Sequence, residues 1–172
     1  MATVTLYPSG AGDRTEATPS AGANWDCVEE TPHDGNTSYV QTGAAASPDE
    51  DLYALTNPTF DPTDFINSVT VYVTTQKGGP GSGGSGAACI KENGTDTVGT
   101  AISASDEWVE RSETWTARPS DGNNWQYDDI VALQAGVRHS VTTGVVSTTQ
   151  VRVMVDFTAS IKPQIIIVTG DD

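Results

Sequence analysis

The side chains of this sequence best suited to chemistry are its carboxylates, which occur in short runs. Loop carboxylates beside backbone carbonyl oxygens are the ligands that a hard cation such as calcium takes. The twelve-residue calcium-loop pattern is absent, so the prediction of a calcium site rests on clustering alone. The residues predicted to bind calcium are first Asp49, Glu50 and Asp51, and second Asp121 with Asn123. No other cofactor is predicted.

The sequence does not indicate a catalytic arrangement. The two histidines, His33 and His139, do not accompany a Gly-x-Ser-x-Gly nucleophile turn. Paired carboxylates also serve glycosidases as acid and base, but 23 acidic residues in a strand protein place some together by chance. Cys27 and Cys89 lack zinc-ligand spacing and fit either one disulfide or two buried thiols. We therefore predict a protein that is not an enzyme.

The four tryptophans and five tyrosines suit a second kind of site, a platform on which sugar rings stack. Tyr72 falls on the polar face of its strand, and Trp108 lies on the opposite face from Trp115. These two residues, Trp108 and Tyr72, are the candidates for glycan stacking. The alternative for any bulky aromatic ring is a core position, which we expect for Trp115 and Trp125.

The charge balance excludes two classes of partner. Eight Lys and Arg against 23 Asp and Glu give a net charge of −15. Duplex phosphates and anionic lipids are both held by clustered basic residues, so neither nucleic acid nor a membrane is an expected partner. The N-terminal residues lack the basic and apolar segments of a secretory signal peptide. The longest apolar run, 165–168, is too short to span a bilayer.

Alternation of apolar and polar residues predicts β-strands along most of the chain. One short helix is predicted over 128–135, with Asp128 or Asp129 as its N-cap and Gly136 after its last turn. These elements predict an all-β fold, an antiparallel β-sandwich of jelly-roll type. The predicted strands are 2–7, 25–28, 38–42, 51–55, 64–75, 88–91, 97–102, 107–116, 136–142 and 150–157.

The glycine-rich tract at 78–86 resembles a phosphate-binding loop in composition only. A Walker loop needs Lys followed by Ser or Thr after its last glycine, whereas Ala87 and Ala88 follow here. We predict a loop joining two strands. Two smaller β domains joined at this tract are the alternative, which is disfavoured because neither half would bury much apolar surface.

The sequence divides into a sandwich domain at 1–158 and a C-terminal segment at 159–172. This segment is strand-forming and apolar on both faces, so it would aggregate if exposed. It must therefore lie within its own sandwich or add to a neighbouring subunit, and we favour the second arrangement. The residues predicted to bind a partner are Ile161, Ile165, Ile166, Ile167 and Val168.

Several motifs follow one another along most of the chain. They are ATVTLYP at 2–8, GANW at 22–25, NSVTVY at 67–72, Trp115 with Pro119, Gly122 with Trp125, DIxALQAGV at 129–137 and VxVxVDF at 151–157. This series resembles the jelly-roll structural proteins of tailed bacteriophages and archaeal viruses, of the decoration, head-fibre or tail-associated kind. The resemblance implies a non-enzymatic, oligomeric virion component that is assembled in the host cytoplasm.

Two functions are therefore expected as alternatives. The first is a structural virion protein, a homo-oligomer that binds capsid or tail proteins through strand edges and its C-terminal segment. The second is a carbohydrate-binding module or receptor-binding knob that holds host glycans on exposed Trp and Tyr rings.

The calcium site can be tested by thermal unfolding. We expect added calcium to raise the melting midpoint and a chelator to lower it, because a ligand that binds only the folded state stabilises that state. Calorimetric scans with calcium and with chelator measure this effect, and an unchanged midpoint would remove the site.

Overall fold

The computed structural model describes residues 1–43 and 48–161. Within these residues, two six-stranded sheets form the fold, with one short helix and one 3₁₀ turn. The strands are β1 (Ala2–Leu6), β2 (Pro8–Thr15), β3 (Thr18–Pro19), β4 (Val40–Gly43), β5 (Asp49–Leu55), β6 (Phe65–Lys77), β7 (Gly83–Glu92), β8 (Thr95–Val98), β9 (Ile102–Ser103), β10 (Val109–Trp115), β11 (Gln134–Thr143) and β12 (Val145–Thr158). The helix α1 is Tyr127–Val131, and the 3₁₀ turn is Trp25–Cys27.

One sheet, called the front sheet, has the strand order β10-β6-β12-β4-β3, and β1 pairs with the C-terminal half of β12. The other, called the back sheet, has the order β2-β5-β11-β7-β8, and β9 pairs with β7. From β4 to β7, and again from β10 to β12, successive strands alternate between the sheets, and every recorded pairing is antiparallel. This arrangement confirms the all-β, antiparallel jelly-roll sandwich.

The core lies between the two sheets and follows the period of two in the sequence. Alternate residues of β6 and β12 point inward from the front sheet, and they meet buried side chains of the back sheet and of the loops at its ends. The inward residues include Val69, Val71 and Val73 of β6, Val151, Val153 and Val155 of β12, and Tyr53, Ile90 and Val137 of the back sheet.

Three local predictions are corrected by the structure. The predicted strand 25–28 is instead a 3₁₀ turn at Trp25–Cys27 with Val28 as its C-cap. Residues 83–86 of the glycine-rich tract belong to β7 rather than to a loop. Helix α1 ends at Val131, earlier than predicted, and its N-cap is Gln126, whose backbone N–H donates to Asp129 Oδ2 at 2.7 Å.

Two glycines account for the wrong predictions at the end of helix α1 and in the glycine-rich tract. Gly136 does not end a helix but lies in β11, where a Cβ atom would overlap the carbonyl oxygen of Asp51 on β5. At Gly84 in β7, a Cβ atom would lie 2.5 Å from the carbonyl oxygen of Ser140. Glycine is needed in both strands because neighbouring backbone comes too close for a side chain.

The two cysteines, Cys27 and Cys89, are both buried and free, which decides between the two arrangements left open by the sequence. Throughout the described ranges, no helix has the length and apolar character needed to cross a membrane.

His139 of β11 is buried between the sheets within a chain of hydroxyl groups. Its Nδ1 lies 3.2 Å from Thr42 Oγ1, and its Nε2 lies 2.7 Å from Thr148 Oγ1. Thr42 donates its own hydroxyl proton to Asp49, so its oxygen accepts from Nδ1–H and Nε2 accepts from Thr148. The neutral imidazole is therefore fully paired, and burial lowers the pKa of His139 from 6.5 to about 4.

This shift predicts a pH dependence of stability. Because the folded-state pKa is depressed, the stability contributed by neutral His139 is fully present above pH 6.5 and is lost as the pH falls toward 4. We expect this group to lower the free energy of unfolding by about 1.4 kcal/mol for each pH unit within that window. Urea unfolding of the wild type and of His139→Gln from pH 7 to 4 measures the difference in slope.

Burial also raises the pKa of Asp49, and a raised pKa in the folded state increases stability as the pH falls. Comparison with the His139→Gln variant separates the contribution of His139 from that of Asp49. His33→Gln, in an exposed turn, is the control and should follow the wild-type slope. Equal slopes for His139→Gln and wild type would show that His139 does not titrate on unfolding in this window.

Candidate functional site

A row of polar side chains crosses the outer face of the front sheet. Ser147 of β12 is in register with Gln41 of β4 on one side and with Gln76 of β6 on the other. A register shift in β12 between Thr148 and Gln150 turns Ser147 outward, although Val151 and Val153 beyond the shift point inward. The bulge therefore places a hydroxyl group between two amides on the face away from the core.

Trp108 extends this row at the edge of the sheet. It immediately precedes Val109, which is in register with Thr75 of β6, so Trp108 lies beside Gln76. Its side chain is half-buried, and its indole N–H donates to Asn36 Oδ1 at 3.2 Å. The orientation of the ring is therefore restrained by the segment that carries Asn36.

That segment, residues 29–38, is called the covering loop because it lies over the outer face of the front sheet. Thr149 donates its hydroxyl proton to the carbonyl oxygen of Ser38 at 2.9 Å, and the Gln150 amide donates to the carbonyl oxygen of Glu30. These bonds from the bulged part of β12 hold the loop against the sheet. The loop then forms one wall of a cleft whose floor is the polar row.

This front cleft has a volume of about 280 Å³. It is lined by Asn36, Tyr39, Gln41, Gln76, Gly78, Trp108, Val145 and Ser147. No lining residue carries a charge, although the chain has a net charge of −15. The cleft is therefore a neutral patch on an acidic protein, and it offers apolar ring surface together with amides and hydroxyls.

Several polar groups of the front cleft are available to a ligand. Within the part of the chain that the structure describes, the amide of Gln41, the hydroxyl of Ser147 and the phenol of Tyr39 make no hydrogen bond to the protein. By contrast, the Gln76 amide donates to the carbonyl oxygen of Asp106 and is held in place. The free groups comprise both donors and acceptors, as a hydroxylated ligand requires.

Of the two predicted stacking residues, the structure places only Trp108 in the front cleft. Tyr72 lies on the same outer face, but two rows further along β6, and the Arg152 guanidinium sits 3.9 Å from the centre of its ring. Trp125 is buried as predicted, and Trp115 packs against the core. Trp108 is therefore the predicted stacking residue that lies in this cleft, where Tyr39 supplies a second aromatic ring.

The carboxylates predicted to bind calcium are not brought together at one point. Asp49 and Asp51 point toward the interior of the sandwich, whereas Glu50 points to the outer face of the back sheet. Asp51 accepts hydrogen bonds from the backbone N–H groups of Glu16 and Ala17, at 2.7 and 2.9 Å, and from the side chains of Asn24 and Tyr53, at 2.6 and 3.0 Å. The carboxylate of Asp51 thus acts as an internal anchor for the segment 16–24.

The second calcium candidate is a local turn. Asp121 accepts from the backbone N–H and the amide of Asn123, at 3.0 and 2.8 Å, and also pairs with Arg118. These bonds lower the pKa of Asp121, the backbone N–H of Asn123 being the largest cause. Over the described ranges, no group of three or more His, Cys, Asp and Glu side chains is arranged to hold a metal. Calcium binding stays a prediction, to be tested by the melting experiment above.

The front cleft includes residues that sequence analysis missed, chiefly Asn36, Tyr39, Gln41, Gln76 and Ser147. Gln76 continues the polar face of the strand that Tyr72 occupies, so the alternation in β6 was a usable signal. The sequence did not indicate that Ser147 faces outward. Alternation counted back from Val151 and Val153 predicts that Ser147 points inward.

No family model and no curated protein matches the sequence. Among solved structures, the chain is similar to the carbohydrate binding module CBM6cm-2 from Cellvibrio mixtus lichenase 5A, in complex with cellotriose. The identity is 11%, the TM-score is 0.41, and the match covers 87% of this chain and 95% of that one.

It is also similar to the CBM22-1 and GH10 modules of Clostridium thermocellum endo-1,4-beta-D-xylanase 10B, complexed with xylohexaose. Here the identity is 9% and the TM-score 0.47, with 92% of this chain covered. The chain spans 30% of the length of that xylanase structure. At these scores, neither similarity assigns a ligand to this chain, and a functional argument must come from its own cleft.

The comparisons contradict the expectation of a structural virion protein. Both similar structures contain carbohydrate-binding modules, and neither is a capsid, head-fibre or tail protein. Of the residues predicted to bind a partner copy, Ile161 is 96% exposed at the end of the described chain, while Ile165, Ile166, Ile167 and Val168 lie outside the described residues. The expectation of a structural virion protein was therefore wrong, whereas partner binding by these five residues stays a prediction.

The anchoring role of Asp51 leads to a stability prediction. Asp51→Ala leaves four hydrogen-bond donors without this acceptor, three of them in segment 16–24 and the fourth the buried Tyr53 hydroxyl. We expect the free energy of unfolding to fall by about 3 kcal/mol or more. Chemical denaturation measures this loss, and Asp106→Ala is the control.

Asp106 is an exposed carboxylate that pairs with Lys77 at 3.2 Å, and such surface pairs contribute little. A loss for Asp51→Ala no larger than that for Asp106→Ala would contradict the anchoring role.

Proposed function

We propose that this chain is a carbohydrate-binding domain that holds a neutral glycan in the front cleft. The observation that carries the proposal is the set of free polar groups, Gln41, Ser147 and Tyr39, beside Trp108 in a cleft without charges. A sugar ring presents apolar C–H faces and a rim of hydroxyls, and each hydroxyl both donates and accepts. An aromatic ring flanked by amides and hydroxyls matches both features.

We expect a neutral glycan because the protein is strongly acidic and the residues lining the front cleft carry no charge. An anionic polysaccharide would meet the repulsion of a chain with net charge −15 and would find no Lys or Arg in the front cleft. A cationic ligand would find no carboxylate there with which to pair. Uncharged hydroxyl and amide groups leave only hydrogen bonding and stacking as sources of affinity.

The proposed activity is binding without hydrolysis. Cleavage of a glycosidic bond by the usual route needs two carboxyl groups on either side of the bond. None of the residues that line the front cleft is Asp or Glu. A glycan held there would be retained rather than cleaved.

The cleft is prepared for its ligand before binding. The Asn36 bond to the indole of Trp108 and the bonds from Thr149 and Gln150 to the covering loop are made within the protein itself. Less conformational freedom is then lost when a sugar binds, and this favours affinity in a shallow site.

The proposal is tested by screening neutral and anionic oligosaccharides on a glycan array, followed by calorimetric titration of those retained. We expect retention of neutral glycans and none of uronic or sulfated ones. Trp108→Ala should weaken binding by at least about tenfold, in line with the loss of one aromatic stacking partner. Ser147→Ala should weaken it by about three- to tenfold through one lost hydrogen bond.

Ser112→Ala provides a matched control, because Ser112 lies on the same outer face, in register with Tyr72 and outside the front cleft. It should bind as the wild type does, and circular dichroism should show all three variants folded. The proposal fails if no neutral glycan is retained, or if Trp108→Ala and Ser147→Ala bind like Ser112→Ala.

A further inference from the structure

A second cleft lies on the opposite side of the molecule, on the outer face of the back sheet. Its position follows from β2, whose later residues cross over the sheet instead of continuing along its edge. The backbone N–H of Asp13 donates to Gln134 Oε1 at 2.8 Å, and Arg14 reaches Asp96 of β8, with 2.6 Å between Nη2 and Oδ2. This crossing segment bounds a cleft of about 270 Å³, called the back cleft.

Charged side chains of both signs line the back cleft. They are Arg14, Glu16, Glu50, Asp96 and Arg138. Glu50 and Arg138 are in register on β5 and β11, so they share the outer face. Pro48 and Val98 add apolar surface. The chemistry of the back cleft thus differs from that of the neutral front cleft.

Arg14, Glu16 and Asp96 are hydrogen-bonded within the protein. Arg14 bonds to Asp96 and lies 3.6 Å from Glu16 Oε1, while Glu16 Oε2 accepts the backbone N–H of Glu50 at 2.9 Å. The contacts among these groups hold the crossing segment in place. They leave little capacity for a ligand.

Glu50 differs from these groups because it forms ion pairs with Arg14 and Arg138 but accepts no hydrogen bond within the described chain. Its side chain is only 8% exposed, yet neither of its carboxylate oxygens accepts a hydrogen bond from any described residue. Its nearest cations are Arg14 Nε at 3.3 Å and Arg138 Nη1 at 3.9 Å, neither in hydrogen-bonding geometry. A buried carboxylate without hydrogen bonds is costly, and a ligand that donates to it would remove that cost. Burial also raises the pKa of the Glu50 carboxyl.

Arg138 supplies the complementary group. Its side chain is 43% exposed, and its only ion pair within the described ranges is the 3.9 Å contact with Glu50. Its guanidinium therefore retains N–H donors directed to no acceptor. Glu50 and Arg138 together present an unused acceptor and unused donors at one point of the back cleft.

The two signs of charge restrict the ligand. A cation at Glu50 would be repelled by Arg14 and Arg138, and an anion at Arg138 would be repelled by Glu50, Glu16 and Asp96. A neutral hydroxylated ligand avoids both penalties, since each hydroxyl donates to a carboxylate and accepts from a guanidinium. We propose that the back cleft is a second ligand site, which binds a neutral polyhydroxylated ligand through Glu50 and Arg138.

This inference extends the proposed function without depending on the front cleft. The two clefts occupy the outer faces of opposite sheets, so a single small ligand cannot bind in both at once. Binding at one is expected with the other disabled. The chain would then hold two glycan segments at once.

The test uses NMR titration of the Trp108→Ala variant, in which the front cleft is disabled. The probes are methyl glycosides of glucose, galactose, mannose and xylose, with ethylammonium and acetate as charged probes. We expect at least one methyl glycoside to shift the Arg138 Nε–Hε signal and the backbone amides of Glu50 and Arg138 saturably. Glu50→Gln and Arg138→Ala, each in this background, should weaken the binding followed at the backbone amides by about tenfold or more.

Arg152→Ala is the control, because it removes an arginine from the opposite outer face and should leave the shifts unchanged. Saturable shifts with ethylammonium or acetate alone would overturn the ligand chemistry. The absence of saturable shifts with every probe would overturn the site. Failure of the proposed function is seen separately, in the wild-type protein, as the absence of ligand-induced shifts of the Trp108 indole N–H.

Discussion

The structure depends above all on the antiparallel pairing of β6 with β12 at the centre of the front sheet. This ladder runs from Phe65 with Thr158 to Lys77 with Val146, and it decides which side chains enter the core. Valines at alternate positions of both strands then seal one side of the sandwich. The ladder has two register shifts, and the one after Thr148 changes the alternation near the end where the covering loop and Trp108 meet the sheet. A uniform ladder would have turned Ser147 inward and Thr148 outward, so the front cleft would lack its hydroxyl and His139 would lack its partner Thr148.

The sequence was sufficient to predict the fold class because the long strands are regular. Runs such as 64–75 and 150–157 show a clean period of two, and the scarcity of helix signals excluded other architectures. The predictions of local structure were wrong where close backbone packing outweighed the conformational preference of the residues. Gly136 resembled a helix end but serves close strand contact, and the glycines at 83–86 resembled a linker but pair in β7.

The candidate site was only partly predictable, since it is built from residues that are ordinary by type. Trp108 was identifiable as an aromatic residue on an outward face. Gln41 and Ser147 become significant only through their register across β4 and β12, and Tyr39 only through its position in the cleft. The side chains of all three make no hydrogen bond to the described residues. The carboxylates of the run 49–51 are divided between the two faces of β5 by the same alternation that formed the core.

The hydrogen bond from the Trp108 indole to Asn36 has a consequence for the proposed binding of a glycan polymer. With its polar edge tied to the covering loop, the ring is unable to turn freely, and the cost of fixing it is met during folding. Encounter with a rigid, repetitive polymer would then resemble the docking of two preformed shapes. Exchange between neighbouring positions along such a polymer would need no rearrangement of the protein.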